Sequence, residues 1–117
     1  MGPVNDSACL FCKIARKEIP SKSVLETEEV FAFRDLNPQA PVHVLVVPKA
    51  HLPRLSAAGP EHAALLGSCL AAAARVAREE GLGSYRLVVN DGADAGQSVF
   101  HLHVHLLGGR PFTWPPG

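Results

Sequence analysis

Three of the chain's six histidines fall within one short segment, Ser98-Val99-Phe100-His101-Leu102-His103-Val104-His105-Leu106-Leu107. Alternate side chains of a β-strand share a face. The two-residue spacing therefore predicts a strand with His101, His103 and His105 in a row on one side. The intervening apolar side chains would face a core on the other side: Phe100, Leu102, Val104 and Leu106. Gly108-Gly109 would end the strand, because glycine adopts turn conformations at little cost.

A row of three imidazoles favours a chemical role, because imidazoles in register crowd one another without an evident packing benefit. Any one of them alone would be an ordinary surface or half-buried histidine. Two chemistries fit the row. The imidazoles could be nitrogen ligands of a metal, or one could act as a nucleophile while a neighbour moves protons.

Length and composition predict one globular domain over residues 1–117. The chain is 47% apolar and 19% charged with a formal net charge of zero, so nothing electrostatic favours nucleic acid or an anionic membrane as a partner. No apolar run is long enough to span a bilayer, and a basic-then-apolar leader is lacking. The three cysteines are an odd number, which suits a reducing compartment, and a cytoplasmic location is expected.

The remaining pattern predicts an α+β fold with an antiparallel sheet of about five strands, one long helix and a short N-terminal helix. After a loose tail at 1–7, the short helix is expected over 7–18, capped by Ser7 and ended by Pro20. Strands are expected at 23–27, 29–34, 43–47 and 85–90, besides the histidine segment. The β-branched run at 43–47 predicts a central strand that is buried on both faces.

The long helix is expected over 60–81, with Pro60 in its first turn and Gly81 at its end. One apolar stripe should face the core, formed by Leu65, Leu66, Cys69, Leu70, Ala73, Val76 and Ala77.

Several polar residues could complete a site around the row. His43 begins the central strand, where an apolar residue would pack better; it is either a hydrogen-bonded strand end or a group that orients a neighbouring imidazole. Gly96-Gln97-Ser98 could present backbone N–H groups and a hydroxyl to an anion, and Asn90 could add a donor. A zinc-type set of N and S donors is also present: Cys9, Cys12, His51 and His101.

The histidine segment resembles the signature of the histidine triad (HIT) family. Further motifs resemble the Hint branch of that family in order and spacing: Phe11-Cys12-Lys13-Ile14, Lys17-Glu18-Ile19-Pro20, Ala32-Phe33-Arg34-Asp35, Pro38-Gln39-Ala40-Pro41-Val42-His43, Val47-Pro48-Lys49-Ala50-His51, Val89-Asn90-Asp91-Gly92, Gly108-Gly109-Arg110 and Trp114-Pro115-Pro116-Gly117. The resemblance covers nearly everything from Cys9 to the C-terminus, although Arg34 stands where Hint proteins often have histidine.

The resemblance implies roles for individual residues. His103 would be the nucleophile, His105 would lie at the phosphate, His43 would belong to the same relay, and Ser98 would assist at the phosphate and leaving group. The implied nucleotide-binding residues are Phe11, Ile14, Phe33, Asp35, Leu36, Asn90, Gly96, Gln97, Ser98, Val99, His103 and His105. Among them, Asp35 would bind the ribose hydroxyls and the apolar members would enclose the base. A structural zinc would be held by Cys9, Cys12, His51 and His101, and no cofactor would be needed for the chemical step.

The implied activity is hydrolysis of nucleoside 5′-phosphoramidates, such as AMP joined to an amine or to lysine, through a nucleotidyl-histidine intermediate. A purine nucleotide substrate and a homodimer are expected, with residues 110–117 near the partner's active site. One alternative is a dinucleoside polyphosphate hydrolase or nucleotidyl transferase of the same family, which the Trp114-Pro115-Pro116-Gly117 ending disfavours. The other is a non-enzymatic nucleotide-binding or protein-interaction module, which would not need the intact histidine row.

Overall fold

A five-stranded antiparallel sheet forms the centre of the computed structural model, which describes residues 8–117. The strands are β1 (Ser23–Glu26), β2 (Val30–Arg34), β3 (Val42–Pro48), β4 (Tyr85–Val88) and β5 (Val104–Gly108), in the spatial order β1-β2-β3-β5-β4. The helices are α1 (Leu10–Ala15) and α2 (Ala63–Glu79), and 3₁₀ turns lie at Leu55–Ala57, Pro60–His62 and Ala93–Ala95. This architecture confirms the predicted α+β fold. Within the described range, neither helix has the length and hydropathy that crossing a bilayer demands.

The central strand β3 separates two cores, because its side chains are buried on both faces, as its sequence predicts. Val44 and Val46 join the cluster that includes α2. Leu45 and Val47 join a second cluster that includes α1. Since alternate residues share a face, His43 lies on the α1 face, with Leu45.

The histidine segment is not the single continuous strand that its spacing predicts. β5 begins only at Val104, because the backbone bends at residues 99–101. His101 and His103 therefore precede the paired strand, yet both rings still lie near Phe11 of α1, with centroid separations of 6.1 and 5.0 Å. Of the side chains expected to face the core, Leu102, Val104 and Leu106 are buried. Phe100 is instead 43% exposed, because it lies in the bend.

Helix α1 is shorter than predicted at both ends. Cys9 is its N-cap, and the Cys9 Sγ accepts a hydrogen bond from the backbone N–H of Cys12 at 3.4 Å. The helix ends before Lys17, which has a φ of 65°, and so does not extend to Pro20. Ser7, the predicted cap, lies outside the described residues, as does the predicted tail at 1–7.

Helix α2 and strand β4 also differ from the prediction at their ends. Pro60 forms a 3₁₀ turn, so α2 starts at Ala63. At the other end Gly81 has a φ of 74°, and the Leu82 N–H returns to the Ala77 carbonyl at 2.9 Å, a Schellman-type ending. Strand β4 ends at Val88 instead of Asn90, where its pairing with β5 stops.

The apolar stripe of α2 is narrower than predicted. Cys69, Ala73, Val76 and Ala77 are buried as expected, and Ala72 joins them. Leu70, which was expected in the stripe, is 50% exposed, because it lies on the adjacent face of the helix. Small residues in this stripe let α2 lie close to the sheet.

Two leucine-to-alanine substitutions, one in the core and one on the surface, test this assignment of the core. Leu106→Ala, in β5 at 0% exposure, should lower the free energy of unfolding by about 3 kcal/mol, because it leaves a cavity between the sheet and α2. Leu70→Ala removes the same atoms from the exposed face and should cost less than about 1 kcal/mol. Urea unfolding of both variants measures the difference, and equal losses would contradict it.

Candidate active site

His103 is held by a backbone carbonyl in one tautomer. Its Nδ1 lies 2.8 Å from the carbonyl oxygen of His101, and a carbonyl can only accept, so Nδ1 carries the proton. The neutral ring then has a lone pair on Nε2. Burial lowers the pKa of His103, and the bond to the His101 carbonyl opposes this only in part. His103 is therefore neutral at pH 7 and chemically able to act as a nucleophile.

A second chain of hydrogen bonds sets the tautomers of His43 and His105. The backbone N–H of Gln39 donates to Nδ1 of His43 at 3.0 Å, so the proton of His43 is on Nε2. That nitrogen lies 3.0 Å from Nδ1 of His105 and donates to it. The proton of His105 is consequently on Nε2.

The Nε2 of His105 is a buried nitrogen without a hydrogen-bond partner among residues 8–117. A buried N–H that bonds to nothing is costly and calls for an explanation. The rings of His103 and His105 lie edge to face, with centroids 4.9 Å apart. The site thus has a free lone pair and a free donor on neighbouring imidazoles, an arrangement suited to an electrophilic centre that carries negatively charged oxygens.

Asp35 follows β2 and takes part in the same network. Its Oδ1 accepts the backbone N–H of Asn37 at 2.8 Å, and its Oδ2 lies 3.5 Å from Nε2 of His43. The first contact caps a turn. A carboxylate has about four acceptor positions, so the cap leaves capacity for a ligand hydroxyl.

Burial dominates the electrostatics of these imidazoles. It lowers the pKa of His43, and the Asp35 carboxylate partly offsets that effect. Burial, together with His103 and His43, lowers the pKa of His105 to about 4. Both rings are therefore neutral at pH 7, which is the protonation state that the hydrogen-bond chain requires.

An apolar pocket of about 270 Å³ opens beside this network. Its expected members Phe11, Ile14 and Phe33 are buried, and the pocket is lined by Leu10, Phe11, Ile14, Ile19, Pro20, Ser21, Phe33, Arg34, Asp35, Leu36, Leu45, Ser98 and Val99. Leu36 is 92% exposed and forms only the rim. Arg34 makes a two-pronged ion pair with Glu80 at 3.1 and 3.0 Å, which holds it at the pocket edge.

The loop before the histidines is shaped by Gln97. Its Nε2 donates to the carbonyls of Pro53 and Val99 at 2.8 and 3.1 Å, and its Oε1 accepts the Gly92 N–H at 2.8 Å. Gln97 thus fixes the loop, and a contact of its side chain with a nucleotide would require one of these bonds to break. Ser98 is exposed.

Asn90 and Gly96 come together in the same loop. A Cβ atom at Gly96 would lie 3.7 Å from Nδ2 of Asn90, and the φ of Gly96 is 100°. No hydrogen bond or ion pair among the described residues joins this pair to the imidazoles.

The four predicted metal ligands converge although they are far apart in sequence. The ligand atoms of Cys9, Cys12, His51 and His101 all lie within 4.8 Å of one another. Nδ1 of His101 is 3.4 Å from each Sγ and 3.2 Å from Nδ1 of His51. Tetrahedral zinc with ordinary bond lengths places its N and S ligands about 3.4–3.6 Å apart.

The tautomer of His101 also fits a metal. Its Nε2 lies 2.7 Å from the carbonyl of Pro48 and must donate to it, so Nδ1 presents a lone pair to the two thiols and to His51. A backbone carbonyl commonly orients a metal-binding histidine in this way. Burial lowers the pKa of His101 to about 4, which keeps the ring neutral, as a ligand must be. These residues therefore fit zinc.

Comparison with known proteins assigns the family. A family model described as the HIT domain matches residues 16–112. The chain belongs to the HIT domain family. Proteins similar to it include a 14 kDa zinc-binding protein from Zea mays, 53% identical over 117 residues that cover 97% of this chain and 91% of the relative. An adenylylsulfatase, HINT1, from Arabidopsis thaliana is 51% identical over 116 residues, which cover 97% of this chain and 79% of the relative.

The fold agrees with that of solved HIT structures. A HIT family hydrolase from Legionella pneumophila superposes with a TM-score of 0.91 at 49% sequence identity, covering 93% of this chain and 99% of that chain. Together with the similarity to HINT1, this supports membership in the Hint branch. The roles of individual site residues remain predictions.

Sequence reasoning missed three groups that the site uses, because all of them belong to the backbone. The His101 carbonyl selects the tautomer of His103, the Gln39 N–H selects that of His43, and the Pro48 carbonyl selects that of His101. All three lie in motifs that the resemblance singled out, but residue type does not reveal what a backbone group contacts.

The lowered histidine pKa values predict a pH dependence of stability. Between pH 6.5 and about 4, a histidine of the unfolded chain is protonated, whereas His105 of the folded chain is neutral. The contribution of His105 to the free energy of unfolding is therefore complete above pH 6.5 and is lost as the pH falls. One such group contributes a slope of about 1.4 kcal/mol per pH unit near pH 5. His105→Gln should therefore flatten the measured slope by up to that amount, compared with wild type at equal zinc content. An unchanged slope would contradict the burial of a neutral His105.

Proposed function

We propose that this HIT protein is a nucleotide hydrolase that cleaves nucleoside 5′-phosphoramidates, such as AMP joined to an amine, through a nucleotidyl-histidine intermediate. The observation that carries the proposal is that two neighbouring imidazoles are held in different tautomers. His103 offers an Nε2 lone pair, and His105 offers a buried N–H with no partner among the described residues. Simple binding does not need a nucleophile, and the similarity to a HIT family hydrolase supports catalysis.

In the first step, the Nε2 lone pair of His103 forms a bond to the α-phosphorus and the P–N bond breaks. The departing amine keeps the bonding electrons and takes up a proton from solvent water, since an amide anion is a poor leaving group. The Nε2–H of His105 donates a hydrogen bond to a phosphoryl oxygen as negative charge builds there. In the second step, water attacks the phosphorus and returns a proton to the solvent, the P–Nε2 bond breaks with its electrons on His103, and the nucleoside monophosphate leaves with His103 restored.

The nucleotide's base enters the apolar pocket, where Phe11, Ile14 and Phe33 supply contact area. Asp35 accepts hydrogen bonds from the ribose hydroxyls through the lone pairs that are not used in capping the turn. Ser98 at the pocket edge contributes its hydroxyl to the phosphate or the leaving group. Asn90 and Gly96 complete the phosphate loop, and Gln97 keeps that loop in shape.

A zinc ion held by Cys9, Cys12, His51 and His101 plays a structural part in this proposal. When bound, it supplies folding free energy and no step of the reaction. The ligands connect α1 to the segment before β5, and both elements line the base pocket. The similarity to a zinc-binding protein from Zea mays supports this assignment.

The protein acts as a cytoplasmic homodimer of one HIT domain per chain, and residues 110–117 reach the partner's active site. Trp114 is 81% exposed, and large exposed aromatic side chains are favoured anchors at interfaces. Tyr85, which is 41% exposed, offers further apolar surface for the same association.

A second candidate reaction is cleavage of the P–O–S link of adenosine 5′-phosphosulfate, because a relative at 51% identity is named adenylylsulfatase. His103 would attack the phosphorus in the same way, but the sulfate leaves as an anion and needs no proton. Purified protein should therefore be given AMP-amine, adenosine 5′-phosphosulfate and diadenosine polyphosphate side by side. Preference for AMP-amine supports the main proposal, and preference for either other substrate replaces it.

His103→Ala tests the covalent route. The variant should lose roughly 10³-fold or more in turnover, because it lacks the nucleophile, while AMP affinity stays within about threefold, because base and ribose contacts persist. His62→Ala, in the turn before α2, is the control for loss of a histidine. Acid-quenched wild type should carry an AMP adduct in mass spectrometry. Turnover of the alanine variant within tenfold of wild type would refute the mechanism.

Cysteine variants test the zinc site. One zinc per chain should co-purify, and Cys9→Ser or Cys12→Ser should lose it and melt at lower temperature. Cys69→Ala changes a buried cysteine of α2 and should keep the metal, which separates metal loss from general destabilisation. Elemental analysis decides the outcome. Metal that persists without both cysteines but disappears with His103 and His105 would favour a tri-histidine site instead.

A further inference from the structure

Arg110 is hydrogen-bonded to the backbone of the loop that leads into β3. Its Nε and Nη2 donate to the carbonyl of Gln39 at 3.3 and 3.0 Å, and its Nη1 donates to the carbonyl of the neighbouring Pro111 at 3.1 Å. Arg110 lies just beyond β5 and is exposed. The two bonds to Gln39 cross from the C-terminal segment to residue 39, which is 71 positions away in sequence.

The same Gln39 supplies the N–H that selects the tautomer of His43. Its backbone carbonyl and N–H are separated only by the residue's own Cα, so fixing the carbonyl also restricts the N–H. The Gln39 side chain adds a bond from Nε2 to the Asn37 carbonyl at 3.0 Å, which belongs to the same loop.

Two further contacts hold the guanidinium and the loop in place. The Arg110 Cζ lies 4.3 Å from the centre of the Phe112 ring, and Arg86 approaches the same ring at 5.2 Å. Gly109, with a φ of 91°, packs so closely on Pro41 that a Cβ there would lie 2.8 Å from the Pro41 Cβ. The segment that follows β5 therefore contacts the loop at 38–41 in two places, through Arg110 at Gln39 and through Gly109 at Pro41.

We propose that Arg110 is a positioning residue for the histidine relay: by fixing Gln39, it keeps Nδ1 of His43 an acceptor and the proton of His105 on Nε2. The inference rests on the proposed function for its catalytic meaning. Arg110 touches neither His43 nor His105 in this arrangement and acts only through the loop backbone.

Loss of Arg110 has a definite consequence for the proton positions. With the Gln39 N–H no longer held against it, Nδ1 of His43 becomes free to carry the proton. Nε2 of His43 then faces Nδ1 of His105 with a lone pair, and the His105 proton moves to Nδ1. The Nε2 of His105 no longer donates to the phosphoryl oxygen, while base and ribose contacts are untouched.

The experiment compares Arg110→Ala with Arg86→Ala in the full chain. Arg86 lies against the Phe112 ring and donates to the Thr113 carbonyl at 2.9 Å. Among residues 8–117 no hydrogen bond joins it to Gln39, so its loss loosens the tail without releasing the loop. Nitrogen NMR of labelled histidine reports which ring nitrogen of His43 carries the proton. Steady-state turnover of AMP-amine gives kcat and KM.

Arg110→Ala should shift His43 toward the Nδ1–H tautomer and lower kcat about 10–100-fold, part of the full value of one hydrogen-bond donor to a transition-state oxyanion, with KM within about threefold. Arg86→Ala should leave the His43 tautomer as in wild type and lower kcat less than Arg110→Ala does. Arg110→Lys has a single ammonium group in place of the guanidinium, so its His43 tautomer population and its kcat should lie between those of wild type and Arg110→Ala. If the alanine variant does not fold, the lysine variant tests the proposal with the same two measurements.

An unchanged His43 tautomer in Arg110→Ala overturns the inference, whatever happens to turnover. Equal losses of kcat in the two arginine variants would assign the effect to the tail and also overturn it. If wild type turns over none of the nucleotides, the proposed function fails, but the tautomer measurement still decides whether Arg110 positions His43.

Discussion

The hydrogen-bonded pairing of β3 with β5 is the constraint on which the site depends. In this register His43 lies opposite Leu107, and Leu45 lies opposite His105. His43 and His105 are therefore diagonal neighbours on one face of the sheet, close enough for long side chains to meet. Because β3 is buried on both faces, a slip of one residue would turn apolar side chains into the site and histidines into the core. Burial of the sheet thus fixes the position of His43 relative to His105.

Backbone groups then decide what each imidazole can do. The carbonyls of His101 and Pro48 accept hydrogen bonds from Nδ1–H of His103 and Nε2–H of His101, and the N–H of Gln39 donates a hydrogen bond to Nδ1 of His43. Each bond removes one of the two neutral tautomers. The three rings of one short segment consequently present different groups: His101 turns a lone pair toward Cys9, Cys12 and His51, His103 keeps a lone pair on Nε2, and His105 keeps an N–H without a partner among the described residues.

Much of this could be read from the sequence, for identifiable reasons. The β-branched run at 43–47 predicted the central strand and its two buried faces correctly, because burial imposes a strict period on side chains. The two-residue histidine spacing predicted the strand that contains His105, but His101 and His103 precede that strand. The bend at 99–101 was missed, since the metal-ligand geometry of His101 and the Gln97 bonds that shape the loop are tertiary contacts. Leu70 was misassigned because helical periodicity does not state how wide the buried stripe is. Tautomers were out of reach, as their determinants are backbone atoms.

The alternation along β3 separates two kinds of evolutionary change. Even-numbered positions such as Val44 and Val46 face α2, whereas odd-numbered positions such as His43 and Leu45 face the pocket and the relay. Substitutions at even-numbered positions alter the packing against α2 alone, whereas those at odd-numbered positions alter the pocket wall and the second core together. A change of pocket shape at Leu45 therefore also changes how tightly the sheet packs on α1, while variation on the α2 face leaves the pocket wall intact.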